Sequence, residues 1–362
     1  MTNTNRYARQ TILPEIGENG QKRISDASIL CIGAGGLGCP ALLYLAAAGV
    51  GRIGIIDFDR VEETNLQRQV LFSTDQIGKY KAIAAKEKLD ALNPCIEIEA
   101  IAQELSDENA LSLFKSYDLI IDGTDNFASK FLINDAALKC GKPFIYASIL
   151  GFEGQLAVFG APDGPCYRCL FPHAPKHNVP SCAENGVIGA VAGILGTMQA
   201  MEAIKLIVAH KDFNHLIGKL WTINTRSMET KALNLSRDPA CPTCTKQPDQ
   251  ITLAYKKEPC ALIREITPQE MHKKPKIMLL DVREQDEWDK GFIMGAQHAP
   301  LSSLLQGHIP DLPKDREIII YCAHGIRSRN AAEFLKAQGY KNVANMAGGY
   351  EAWLMTFGAK SV

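Results

Sequence analysis

The sequence predicts an α/β chain: a doubly wound, mostly parallel sheet with an antiparallel extension, followed by a second, smaller α/β domain. Three observations carry that prediction. Ser28–Ile32 is a short apolar run that leads through a glycine-rich turn into a helical segment. Strand-like and helix-like runs then alternate as far as residue 148, the pattern of a sheet covered by helices on both faces. The alternation lapses in a polar, proline-containing stretch after Cys244 and resumes near Ile263.

Taken in order, the helix after the turn spans Pro40–Ala48, with Pro40 suited to its first turn and Gly49 to its end. Arg52–Asp57 is the next strand. Lys79–Leu92 is amphipathic, with Ala82, Ala85, Leu89 and Leu92 at helical spacing. Ile96–Ile101, Leu119–Asp122 and Phe144–Ser148 are further strands, and Gln155–Phe159, Lys219–Asn224 and Thr230–Leu235 are later, antiparallel ones. In the second domain Lys276–Asp281 and Glu317–Tyr321 are strands and Ser328–Gln338 is a helix. The expected domains are 1–245 and 262–362, joined by a linker over 246–261.

The chain has 362 residues, with 39 Lys plus Arg against 40 Asp plus Glu. That balance excludes a nucleic-acid-binding polycation. The apolar run 187–209 is interrupted by Gln199, Glu202 and Lys205, and its charge-free part falls short of the ~20 residues a membrane span needs. It reads as a buried core helix. The opening residues show no secretory pattern, and eleven cysteines cannot all pair within one chain. A reducing, cytoplasmic setting is expected, where cysteines serve metals, catalysis or the core.

Gly33-Ala34-Gly35-Gly36-Leu37-Gly38 satisfies G-x-G-x-x-G between a strand and a helix, the context in which backbone N–H groups approach phosphates. Asp57, 19 residues beyond Gly38, can accept hydrogen bonds from ribose hydroxyls. NAD and ATP fit these facts equally well. The following stretch favours ATP. A triphosphate attacked at its α-phosphorus needs added positive charge, Mg²⁺ and a carboxylate to hold the ion. Arg68 and Lys81 supply charge, and Asp125 supplies the carboxylate.

Arg6-Tyr7-Ala8-Arg9-Gln10, the glycine loop, Asp57-Phe58-Asp59, Asn65-Leu66-Gln67-Arg68-Gln69 and Thr124-Asp125-Asn126 together resemble the MoeB/ThiF family, bacterial relatives of ubiquitin-activating enzymes. The resemblance covers about residues 5–245. It implies a Rossmann-like fold and adenylation of the C-terminal glycine of a small ubiquitin-like sulfur carrier ending in Gly-Gly. It also implies nucleotide contacts at Gly33, Gly35, Gly36, Gly38, Asp57, Asn65, Arg68, Gln69 and Lys81, with magnesium at Asp125. Arg9 resembles the family's arginine that enters the partner protomer's site, which implies a homodimer.

Cys166-Tyr167-Arg168-Cys169 and Cys241-Pro242-Thr243-Cys244 are two CxxC pairs. Either alone could be a redox motif. Together, in a reducing compartment, they point to a structural Zn²⁺ held by four thiolates, a site the resembling family also has. Cys182 follows a polar loop and resembles the family's cysteine over the adenylate, which forms a thioester or a mixed disulfide. Cys31, Cys39, Cys95 and Cys140 are expected in the core, and Cys260 falls in the linker.

Cys322 ends a strand and opens the loop Cys322-Ala323-His324-Gly325-Ile326-Arg327-Ser328. Inward N–H groups and the following helix stabilise its thiolate, and Arg327 adds charge. Four residues separate Cys322 from Arg327, a loop better matched to one sulfur atom than to phosphate. With Leu280-Asp281-Val282-Arg283-Glu284 and Ala347-Gly348-Gly349-Tyr350, it resembles the rhodanese sulfurtransferase family. Many loops of this length in that family carry Arg where this one has Ala323, which points away from thiosulfate. A persulfide supplied by a donor such as a cysteine desulfurase is the expected input. The joint reading is an adenylyltransferase fused to a sulfurtransferase, serving molybdopterin or thiamin biosynthesis. The rival is a nucleotide-binding regulatory protein with an inactive rhodanese docking module.

Overall fold

The computed structural model describes residues 6–173, 186–253, 263–274, 277–314 and 316–358. They fall into two compact units, one before residue 254 and one after residue 262.

The first unit runs α1 (Ala8–Thr11), α2 (Gly17–Asp26), β1 (Ser28–Ile32), α3 (Gly38–Ala48), β2 (Arg52–Ile56), α4 (Lys81–Leu92), β3 (Glu97–Ile101), α5 (Ala110–Lys115) and β4 (Leu119–Asp122). It continues with α6 (Phe127–Cys140), β5 (Phe144–Leu150), β6 (Glu153–Phe159), α7 (Tyr167–Leu170), α8 (Gly189–Val208), β7 (Lys219–Asn224) and β8 (Glu229–Asn234). The sheet order is β3-β2-β1-β4-β5-β6-β7-β8. Strands β1 to β5 are parallel, and β6 to β8 extend the sheet antiparallel.

Successive side chains of β1 serve opposite faces. Ile29 and Cys31 belong to one buried cluster, Leu30 and Ile32 to the other. This two-sided burial is why the inner strands β1 and β4 are largely apolar, whereas Glu97 and Glu99 alternate with apolar residues on the edge strand β3. Helix α8 meets the length and composition of a membrane span. Here it packs on α3 and on β5 and β6, and its buried Gln199 donates to the carbonyls of Asp122 and Ile145. It is the core helix the sequence predicts.

Register sets the site. Ile32 lies level with Ile56 on one side and Asp122 on the other. The three chains therefore leave the sheet together, as the glycine loop, Asp57–Asp59 and Gly123–Asn126. Strand order reverses between β1 and β4, so these loops open at the topological switch point, where such sheets bind ligands.

The second unit contains β9 (Arg264–Ile266), α9 (Pro268–His272), β10 (Met278–Asp281), α10 (Gln285–Trp288), β11 (Ala296–His298), α11 (Leu301–Leu305), β12 (Ile318–Tyr321), α12 (Ile326–Ala337), β13 (Val343–Met346) and α13 (Gly349–Phe357). Its five strands are parallel, in the order β11-β10-β12-β13-β9. Asp281 is level with Tyr321, so Cys322 emerges beside Val282 and Arg283.

One expectation is overturned. Cys95 is exposed, because Pro94 and Cys95 form the turn that leads into β3 rather than part of an element. Cys31 and Cys39 are buried as expected, and Cys140 is half-buried. Cys182 and Cys260 lie outside the described residues.

Candidate functional site

Two glycines make the turn between β1 and α3 possible. Gly33 has φ +90°, a left-handed conformation that costs glycine nothing. A Cβ at Gly38 would lie 2.0 Å from the carbonyl oxygen of Gly33. Any side chain there would force the first turn of α3 away from the strand end. No side chain caps α3. Its first-turn N–H groups are left to a ligand, and the helix dipole favours an anion there. Gly35 and Gly36 line the same turn, and a Cβ on Gly36 would lie 3.6 Å from the Arg68 side chain.

Asp57 is buried and accepts from the backbone N–H groups of Ala34 and Asp59, both at 2.8 Å. Burial pushes its pKa up, against the opposing pull of the Lys81 charge and these two N–H groups. The Ala34 bond ties this carboxylate to the glycine loop. Lys81 is buried and bonds Asp59 at 2.9 Å, a partner that sequence reading did not assign although the two motifs stand close in the chain.

Asn65 and Gln69 are buried together, with Gln69 Nε2 donating to Asn65 Oδ1 at 2.8 Å. Gln69 Oε1 is buried with no hydrogen-bond partner among the described residues. An orphaned acceptor beside Gly35 is what a ligand hydroxyl or amine would satisfy. Arg68 is half-buried and donates to the Thr64 carbonyl at 3.1 Å.

Asp125 is exposed in the turn after β4 and has no protein partner among the described residues, so its oxygens are open to a cation. The turn itself is held by hydrogen bonds. Buried Lys130 donates to Asp122 at 2.8 Å and to the carbonyls of Thr124 and Ala147, both at 2.9 Å. Asn126 caps α6 through Ser129 N at 2.8 Å. Sequence reading quoted Asp122 without its lysine, which sits eight residues away on a helix face.

Arg9 is not brought to this cluster. Its helix is pinned by Gln10 to the carbonyl of Ala48, and Tyr7 packs over Gly49. That is the far end of α3, about 16 Å along an 11-residue helix from the glycine loop.

The two CxxC pairs converge. All four Sγ atoms lie within 4.8 Å of one another, with Cys166 to Cys241 at 3.5 Å and Cys169 to Cys244 at 3.4 Å. A tetrahedral metal with bonds of about 2.3 Å places its sulfurs about 3.8 Å apart, so the cage has the right size. Burial, then the neighbouring Cys241, pushes the Cys166 thiol up. Burial acts likewise on Cys169, but the N–H groups of Asp238 and Cys166 overcome it and lower that pKa. Arg168, between the first pair, forks onto Asp135 at 2.7 and 2.8 Å.

In the second unit Cys322 is 1% exposed, and its Sγ accepts from Gly325 N at 3.1 Å and Ser328 Oγ at 3.4 Å. Gly349 packs against the carbonyls of Cys322 and Ala323, and Tyr350 N donates to the Cys322 carbonyl at 2.7 Å. Arg327 lies in the first turn of α12, and its guanidinium forks onto Glu287 at 2.5 and 2.6 Å. Sequence reading missed Glu287, because the pair spans 40 residues.

A model described as the ThiF family matches residues 7–243. The chain belongs to the ThiF family. A model of the rhodanese-like domain matches residues 268–356 of this family member. The probable adenylyltransferase/sulfurtransferase MoeZ of Mycobacterium tuberculosis is 43% identical, over 96% of this chain and 92% of that protein. A sulfur carrier protein adenylyltransferase of Thermus thermophilus is 45% identical, over 71% of this chain and 96% of its own length. The adenylyltransferase and sulfurtransferase MOCS3 of Culex quinquefasciatus is 36% identical over 96% of this chain and 86% of that one. Among solved structures, E. coli MccB with ATP superposes with a TM-score of 0.58 at 24% identity, over 67% of this chain and 75% of that one. This last is a likeness of fold.

Proposed function

We propose that this ThiF-family chain adenylates the C-terminal glycine of a ubiquitin-like sulfur carrier and then converts it to a thiocarboxylate with sulfur carried on Cys322. The observation that carries the adenylation is the meeting of three loops at one register level, around an uncapped helix N-terminus and the orphaned Gln69 acceptor. Asp57 orients the ribose. The glycine-loop N–H groups, Arg68 and Lys81 take the phosphates. Asp125 would hold Mg²⁺, which when bound offsets charge on the triphosphate.

The carrier's carboxylate is already ionised, so no general base is needed. Its oxygen attacks the α-phosphorus, pyrophosphate leaves, and the protein's contribution is alignment and charge. The terminal sulfur of a Cys322 persulfide then attacks the acyl carbon and AMP leaves. A second thiol, Cys182 in this reading, attacks Cys322 Sγ, releasing the thiocarboxylate and closing a disulfide that an external thiol reduces. Zn²⁺ in the four-cysteine cage is structural, because four protein ligands leave no open position.

The protein acts as a homodimer in which Arg9 serves the partner's site; its place at the far end of α3 supports this. The molybdopterin or thiamin carrier is the substrate, and a cysteine desulfurase is a fitting persulfide source. Exchange of labelled pyrophosphate into ATP, with carrier present, tests the adenylation. Asp125→Ala and Arg9→Ala should each lose it by about 100-fold or more. Mixing the two variants should restore part of it, because each heterodimer regains one intact site. Full exchange in Asp125→Ala would refute the magnesium assignment, and failure to complement would refute the shared site.

A further inference from the structure

Among the described residues, the arginines around Cys322 are each paired with a carboxylate. Arg327 forks onto Glu287. Arg283 forks onto Asp281, with its closest contact at 2.6 Å. Arg329 bonds Glu265 at 2.5 Å, and His324 lies 3.4 Å from a carboxylate oxygen of Glu351. The groups seen hydrogen-bonded to Sγ are neutral, the N–H of Gly325 and the hydroxyl of Ser328. Such donors stabilise one negative charge well. They do not by themselves attract a second.

Sulfur donors differ in that respect. Thiosulfate arrives as a dianion, and a persulfide as a monoanion at its reacting end. Both react in the same way. The Cys322 thiolate attacks the outer sulfur, the old S–S bond breaks, and sulfite or the donor thiolate leaves with the bonding pair. No outside oxidant or reductant is needed, and the two donors differ in the charge each brings to the loop.

We propose that Glu287 sets the donor specificity of the rhodanese-like unit. By holding the Arg327 charge it leaves the loop without the spare cation that a dianion requires, and persulfides are favoured. This deepens the reading of Cys322 as a sulfur acceptor and rests on it. Glu287 is a positioning residue, acting through Arg327. Its carboxyl is held below the usual range by those two hydrogen bonds, so it stays ionised across the working pH range.

The test measures sulfur transfer to cyanide by the full chain, with thiosulfate and with the persulfide of mercaptoethanol as donors. Glu287→Gln should lower the KM for thiosulfate about fivefold, the worth of one partly exposed ion pair, with kcat little changed. The double variant Glu287→Gln/Arg327→Gln should return KM to its starting value, which a purely structural role for Glu287 would not produce. In the unaltered chain the thiosulfate KM should be insensitive to ionic strength, whereas in Glu287→Gln it should rise with salt. An unmoved KM in a folded Glu287→Gln variant, or a steep salt dependence in the unaltered chain, overturns the assignment of Glu287 alone. If the unaltered chain passes no sulfur from either donor, the reading of Cys322 fails and this proposal falls with it.

Discussion

Lys130 shows how one residue holds a site it does not enter. Its ammonium has three donors, and all three are used, by Asp122 and by two carbonyls. Both charges are nearly free of solvent contact. Breaking such a pair leaves an uncompensated charge in the interior, so Lys130→Met should cost about 3 kcal/mol of stability, measured by denaturant unfolding of the full chain. The account of the Asp125 turn is wrong if that variant is as stable as the parent. At this scale the sequence was legible where a residue's role depends on its immediate neighbours. Asp57, Asp125 and Cys322 each follow the end of a strand, so their positions could be read. Their partners could not. Glu287 meets Arg327 only because β10 and β12 lie side by side, and nothing local announces it. Cys95 failed for the opposite reason: β3 begins only at Glu97, and Pro94 and Cys95 lie exposed in the turn before it.

At the scale of elements, hydrophobic runs located the strands well. Ser28–Ile32, Leu119–Asp122 and Lys219–Asn224 have the bounds expected, and most others differ by one or two residues. The four-residue helices escaped, because Ala8–Thr11 and Tyr167–Leu170 are too short to show a period. The second of these overlaps a CxxC pair and has Cys166 as its N-cap, so a metal in the four-cysteine cage would tether it to Cys241–Cys244 across a long stretch of chain. Closing such a loop restricts the unfolded chain as a disulfide would, and metal binding adds its own energy. Purified protein should therefore carry about one zinc per chain by elemental analysis. Stripping it, or Cys241→Ser, should lower the unfolding temperature of the first unit by several degrees. A metal-free protein with unchanged melting would remove the cage from the account.

At the scale of the whole molecule, a mixed sheet and a parallel sheet each present a loop at a strand end, the first proposed here for phosphate and the second for sulfur. The two chemistries are complementary, because an acyl-adenylate is an electrophile and a persulfide a nucleophile. Joining them in one chain raises the local concentration of the second at the first, provided the linker allows the encounter. The sequence revealed this division through its motifs, although not the charge pairing around Cys322. The most direct test is intact-mass analysis of a carrier ending in Gly-Gly after incubation with ATP, a persulfide donor and this protein. The account predicts that the carrier gains the mass difference between sulfur and oxygen, and that Cys322→Ala still catalyses pyrophosphate exchange but leaves the carrier unthiolated. Thiocarboxylate formed at full yield by Cys322→Ala would contradict it.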